Sequence, residues 1–178
     1  MLAIRFTVRV ILVKKEKFVL QISLVATMMA LVAVATLLMR IPNPMGGYFN
    51  FGDVAIFAVA LTFNPIVGGL AGGFGSAIAD LIGFPLFAIP TLIIKGLEGL
   101  LASLITNKKG FVRDIVAVGV AGCEMIFGYF LVEFYPLQWG LGGALAELPG
   151  NIAQIVIGGV IGIPLAYVVR RRLPEILK

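Results

Sequence analysis

Six apolar stretches, near residues 18–39, 52–64, 66–83, 90–107, 113–133 and 148–169, take up most of this 178-residue chain and leave only short connections. A helix needs about 20 apolar residues to cross the hydrocarbon core, and only structures that satisfy their own backbone polar groups persist there. The expected fold is therefore an all-α integral membrane protein, a bundle of six transmembrane helices without a separate soluble domain. The second stretch is the shortest, and Asn64-Pro65 marks a tight turn into the third, because proline disfavours helix at the residue before it. Composition agrees: 60% of residues are hydrophobic, 13% are charged, and the mean hydropathy is +1.07, far from the soluble globular range.

The same composition removes several chemistries. There is no histidine, and the single cysteine, Cys123, lies within an apolar run. An intrachain disulfide, a cysteine metal site and histidine-based catalysis are thus excluded. No phosphate-binding Walker sequence occurs, so any ATP hydrolysis belongs to other chains. The expectation is a protein that is not an enzyme and holds no metal or cofactor.

Basic residues give an orientation. Arg5, Arg9, Lys14, Lys15 and Lys17 precede the first stretch, Lys108, Lys109 and Arg113 lie between the fourth and fifth, and Arg170, Arg171, Arg172 and Lys178 follow the sixth. Six crossings with both termini in the cytoplasm place all of these inside, as the positive-inside rule requires. No small-residue cleavage site follows the first stretch, so it is read as retained. The expected organisation is a basic cytoplasmic segment over 1–17, a membrane domain over 18–172 and a cytoplasmic tail over 173–178. The first segment is either a basic amphipathic segment lying on the inner surface or a frayed tail.

In this topology "IPNPMGGYFNFGD", "GFPLFAIP" and "EFYPLQWGLGGALAELPG" face outside. Irregular backbone at membrane depth persists only when protein buries it or it lines a cavity, so these loops are expected to cap something. Asp53, Asp80, Glu98, Glu124, Glu133 and Glu147 fall in the spans or outer loops. An intramembrane carboxylate costs a few kcal/mol, which makes each a candidate for function or for an internal ion pair. Asp80 is either the partner of Lys95 in such a pair or part of a site.

Helical spacing sorts the remainder. Glu147, Asn151 and Gln154 lie at i, i+4 and i+7, on one face of the sixth span, and Thr91, Lys95 and Glu98 form a similar stripe on the fourth. Two stripes of hydrogen-bonding groups under aromatic loops suit a pocket for a small polar ring compound. Tyr48, Phe49, Tyr135 and Trp139 are either its stacking walls or an interfacial aromatic belt. "GGLAGGFGS" sets Gly69, Gly73 and Ser76 on the face of Asp80, for close helix approach. Ser23, Ala26, Ala30 and Ala33 give the first span a smooth face, which either packs inside the bundle or docks a partner.

Taken together, "GGYFNFGDVAIF", "FNPIVGGLAGGFGSAIADLIGFP", "PTLIIKGLEGL", "LPGNIAQIVIGG" and Ala26-x-x-x-Ala30 resemble the substrate-binding S components of energy-coupling factor (ECF) vitamin transporters, over roughly 18–172. The "GGYFNFGD" and "IIKGLEG" signatures look most like the group for hydroxymethylpyrimidine, pyridoxine or thiamine-related compounds, some of which carry a riboflavin-transporter family name. The resemblance implies a multi-pass protein of a bacterial or archaeal cell membrane. It would capture a water-soluble vitamin or precursor from outside under a gating loop at about 40–52. It implies a membrane coupling protein (T component), docked on Ala26 and Ala30, and two cytoplasmic ATPases that drive import. Expected substrate-binding residues are Tyr48, Asn50, Lys95, Glu98, Glu124, Trp139, Glu147, Asn151 and Gln154. The competing readings are a stand-alone secondary transporter or channel, for which no inverted repeat is visible, and an intramembrane enzyme, which lacks a nucleophile–base pair.

Overall fold

The turn at Asn64-Pro65 organises the middle of the chain. Asn64 caps the following helix by accepting from the amides of Ile66 and Val67 at 3.1 Å each, and Pro65 starts it, where its missing N–H costs nothing. The computed structural model describes residues 2–42, 48–106 and 110–173, with the side chains of 2–15 excepted. In chain order the elements are α1 (Leu2–Leu38), β1 (Arg40–Pro42), β2 (Tyr48–Asn50), α2 (Gly52–Thr62) and α3 (Pro65–Gly83). A 3-10 turn (Pro85–Phe87) follows, then α4 (Ala88–Thr106), α5 (Phe111–Phe134) and α6 (Gly140–Arg172).

Among the described residues, five helices are long and apolar enough to cross a membrane. The expected second crossing, near 52–64, is different. α2 has 11 residues, roughly 16 Å of helix against a hydrocarbon core of about 30 Å. It does not face lipid: Phe57, Ile56 and Leu61 are fully buried, and α1, α3, α4 and α6 pack around it. An all-round apolar helix is a central one.

The expected outer loop at 40–52 contains a short antiparallel hairpin, with Arg40 opposite Asn50 and Pro42 opposite Tyr48. Its tip, 43–47, lies outside the described residues, as do Lys108, Lys109 and the tail beyond Leu173. The N-terminal basic segment continues without a break into the helix α1. α6 begins at Gly140, earlier than the expected 148, and carries Pro149 and Pro164 within it.

Two ends of the bundle are chemically distinct. One holds the hairpin, the 3-10 turn and the α5–α6 connection. At the other, Arg170 donates to the Leu61 carbonyl at the end of α2, to Asp114 in the first turn of α5 at 2.8 Å, and to Thr106 at the end of α4 at 3.1 Å. This one guanidinium ties four helices together. We call these the hairpin end and the arginine end.

Glycine sets the closest packing. A Cβ on Gly73 of α3 would lie 2.7 Å from the Leu92 carbonyl oxygen and 3.1 Å from the Gly96 Cα of α4, so the two backbones touch. Gly158 and Gly162 of α6 meet Asp53 and Phe57 of α2 in the same way. Gly73→Val should therefore cost on the order of 1–3 kcal/mol by overpacking and lower the melting temperature of the purified protein. Gly119→Ala, where an added Cβ meets nothing within 4 Å, should leave it unchanged. Equal behaviour of the two variants would remove the close α3–α4 contact from the account.

Candidate substrate-binding site

Six elements at the hairpin end contribute to one polar cavity. Tyr48 and Asn50 come from β2, Asp80 from α3, Phe87 from the 3-10 turn, Thr91 and Lys95 from α4, Tyr129 and Glu133 from α5, and Glu147, Asn151 and Gln154 from α6. The helical pairs follow the i, i+4 spacing that sets side chains on one face. In this conformation the cavity measures about 40 Å³, room for a few waters.

Its cover is Tyr48. The ring stacks on Phe84 with centroids 4.6 Å apart, and the hydroxyl donates to the Asp80 carboxylate. Burial, reinforced by the negative charge of Asp80, pushes the Tyr48 phenol above its ordinary range, so it remains a donor. Arg40 lies 5.1 Å from the Tyr48 ring centroid and donates to the Ala79 carbonyl in the last turns of α3, where a cation is favoured by the helix dipole. Asn50 accepts from the Gly52 amide at 2.7 Å and so fixes the step from hairpin to α2.

Its floor is an ion cluster. Lys95 is 4% exposed and contacts the carboxylates of Asp53, on α2, and Glu98, one turn along α4 at 3.0 Å. Lys95 therefore pairs with Asp53, and the expected Lys95–Asp80 pair gives way to Asp80–Tyr48. The reason is the central position of α2, whose first turn carries Asp53 towards α4. Glu98 and Glu124, expected to touch substrate, lie outside the cavity lining; Glu98 is fully buried under Lys95, and Glu124 interacts electrostatically with both.

On the α6 wall, Gln154 Nε2 donates to Asn151 Oδ1 at 3.3 Å. That leaves Asn151 Nδ2, a donor, and Gln154 Oε1, an acceptor, buried and without a partner among the described residues. Opposite, the hydroxyls of Thr91 and Tyr129 are 2.8 Å apart. Trp139 stands behind the lining, edge-on to Phe87 at 5.6 Å; Phe49 packs on Phe51, and Tyr135 is exposed. The sequence reading missed Tyr129 and Phe87 and named Glu133 only as an intramembrane acid. The spacing Tyr129-x-x-x-Glu133 was the available signal. On α1, Ala26 and Ala30 are exposed while Ala33 turns into the bundle, so the small-residue face divides.

The family model described as ECF-type riboflavin transporter, S component, matches residues 17–171. The chain belongs to this family. As an S component it is a transporter subunit and a multi-pass membrane protein, and the enzyme reading falls away. A Lactococcus lactis subsp. cremoris (strain MG1363) protein named thiamine precursor transporter HmpT is 32% identical over 133 residues, 74% of this chain and 75% of that one. A Pyrococcus woesei protein described as an uncharacterized protein in the gap 3′ region is 43% identical over 149 residues, 83% of this chain and 99% of its own length. A solved structure described as the S component of a bacterial ECF transporter superposes with a TM-score of 0.68 at 15% identity, covering 89% of this chain and 97% of that one. It shows the same fold.

The ion cluster of this S component yields a double-mutant test. Lys95→Met strands two buried carboxylates and should cut the yield of monodisperse protein several-fold, whereas Asp53→Asn added to it should recover part. Asp80→Asn, which keeps an acceptor for Tyr48, should leave the yield near wild type. A lone Lys95→Met of normal yield would show that the cluster is not structural.

Proposed function

We propose that this S component captures a small, donor-rich nitrogen heterocycle, a vitamin or vitamin precursor, in the cavity at the hairpin end. The observation that carries this is the unpartnered pair on α6. Asn151 Nδ2 and Gln154 Oε1 offer one open donor and one open acceptor on the same cavity wall, and a ring nitrogen together with an amino group presents the complement. Asp80, Glu133 and Glu147 also line the cavity, while the charge of Lys95 is already met by Asp53 and Glu98. A ligand carrying a carboxylate or phosphate would face this acid excess unpaired.

Hydroxymethylpyrimidine, pyridoxine and the pyrimidine half of thiamine have the required edge or donors on one ring. The kinship with HmpT supports the pyrimidine choice. Riboflavin, which the family description names, is a three-ring system that needs a larger opening of the floor. Entry in every case requires Tyr48 to leave Phe84 and Asp80, which makes the hairpin the gate.

The basic residues at the arginine end support a cytoplasmic placement of that end and an outward-facing cavity. In a Cys123→Ala background, a cysteine at Trp139 should react with an impermeant maleimide from outside and one at Arg172 only from inside; the reverse pattern would turn the gate inward. Transport is driven by ATPases on separate chains, reached through a T component that docks on the exposed Ala26 and Ala30. Ala26→Trp or Ala30→Trp should leave binding by the isolated subunit normal and abolish ATP-driven uptake, since bulk there prevents close helix approach. Equal loss of both activities would make the face an internal one.

Trp139, the single tryptophan, packs on the cavity residue Phe87 and reports occupancy by its fluorescence. Titration with hydroxymethylpyrimidine, pyridoxine, thiamine and riboflavin should give saturable quenching by a single-ring compound. Leaving a buried ligand group unpaired costs about 1–3 kcal/mol, so Asn151→Ala should weaken that binding roughly ten-fold to a hundred-fold without unfolding the bundle. Unchanged affinity would move the ligand off the α6 wall.

A further inference from the structure

The arginine end carries a second feature, remote from the cavity. Between the first turn of α5 and the last turns of α6 a groove of about 630 Å³ opens on the bundle surface. Phe111, Ile163, Pro164 and Tyr167 form its walls, and Arg170 and Arg171 stand at its mouth. Phe111 is 71% and Tyr167 53% exposed. The groove is therefore apolar along its length and cationic at one end.

The two arginines differ in availability. Arg170 is held inward by Asp114 and the Leu61 carbonyl. Arg171 is exposed; its guanidinium lies 4.2 Å from the Tyr167 ring centroid and donates to the Tyr167 hydroxyl. Arg113, in the first turn of α5, and Arg172, next to Arg171 in sequence, are exposed as well. None of these three is in an ion pair among the described residues. With Asp114 matched by Arg170, Arg171 is left as a groove-lining positive charge without an ion-pair partner among the described residues.

We infer that this groove is a binding site for one anionic phospholipid, with an acyl chain along Phe111, Ile163 and Tyr167 and the phosphate on Arg171. Charge complementarity and the helix ends decide the occupant. The apolar runs of α5 and α6 give way to arginine here, as at a headgroup boundary, and basic pockets between helices at such boundaries suit anionic headgroups. A soluble anion would use the arginines and leave the aromatic walls uncovered. A zwitterionic lipid would fill the groove and offer its phosphate, but would bring a headgroup cation to the same cationic end. The inference rests on the membrane setting and is independent of which compound the cavity takes.

Native mass spectrometry of the detergent-purified full chain tests it, with dioleoylphosphatidylglycerol or dioleoylphosphatidylcholine added at equal concentration. The phosphatidylglycerol adduct should exceed the phosphatidylcholine adduct by about five-fold, and Arg171→Gln should lower it by about the same factor, the usual effect of one basic residue at a charged membrane surface. Arg171→Lys should keep most of it, and Ile163→Trp, which fills the groove, should lower it with the arginine intact. Should Ile163→Trp fail to fold, the two Arg171 variants still decide. Equal retention of the two lipids, an unaltered adduct in Arg171→Gln, or displacement of the lipid by glycerol phosphate alone would overturn the proposal, the last by making this a soluble-anion site.

Discussion

An ammonium group in the middle of an apolar bundle has to be met by negative charge, and the placement of the other helices follows from how Lys95 is met. Removing such ions from water costs several kcal/mol each, and removing one partner leaves the other uncompensated. The contact with Asp53 draws α2 against α4, and the contact with Glu98 keeps the ammonium along its own helix. α2 is then surrounded on all sides, which suits its uniformly apolar surface and its short length. Glycines complete the arrangement: Gly73 against Leu92 and Gly96, and Gly158 against Asp53, let backbones approach to contact distance.

The site inherits its chemistry from that cluster. Asp53 and Glu98 meet the Lys95 charge from below, and the cavity above it is lined by the carboxylates of Asp80, Glu133 and Glu147. Tyr48 closes it with one hydrogen bond and one stacked ring. Under the proposed function this cover is the part that has to move for a ligand to enter. The arginine end is held differently, by the several bonds of a single half-buried guanidinium.

Much of the cavity could be read from periodicity. Glu147, Asn151 and Gln154 share a face on any straight helix, and Thr91 with Lys95 likewise, so their convergence needed only the right helix neighbours. What sequence could not convey was depth and partner choice. α2 resembles a short membrane span in composition, and only the tertiary position of Asp53 shows that it is a central strut. That same position assigns Lys95 to Asp53 and frees Asp80 for Tyr48. Trp139 follows the general preference of tryptophan for apolar walls, yet the turn from Tyr135 to Gly140, with Gln138 at φ 55 and Gly140 at φ 68, sets it behind Phe87. The hairpin at 40–50 was hidden because its strands are three residues each, too short for an alternating pattern to register.

The central claim is that an acid-lined cavity with an open donor–acceptor pair selects a non-anionic nitrogen heterocycle. The most direct measurement is identification, by mass spectrometry after denaturation, of the small molecule retained by the purified protein. The account predicts a single-ring nitrogen compound with amino or hydroxyl donors, near one per chain, and depleted in Asn151→Ala. A stoichiometric ligand bearing a carboxylate or a phosphate would contradict it.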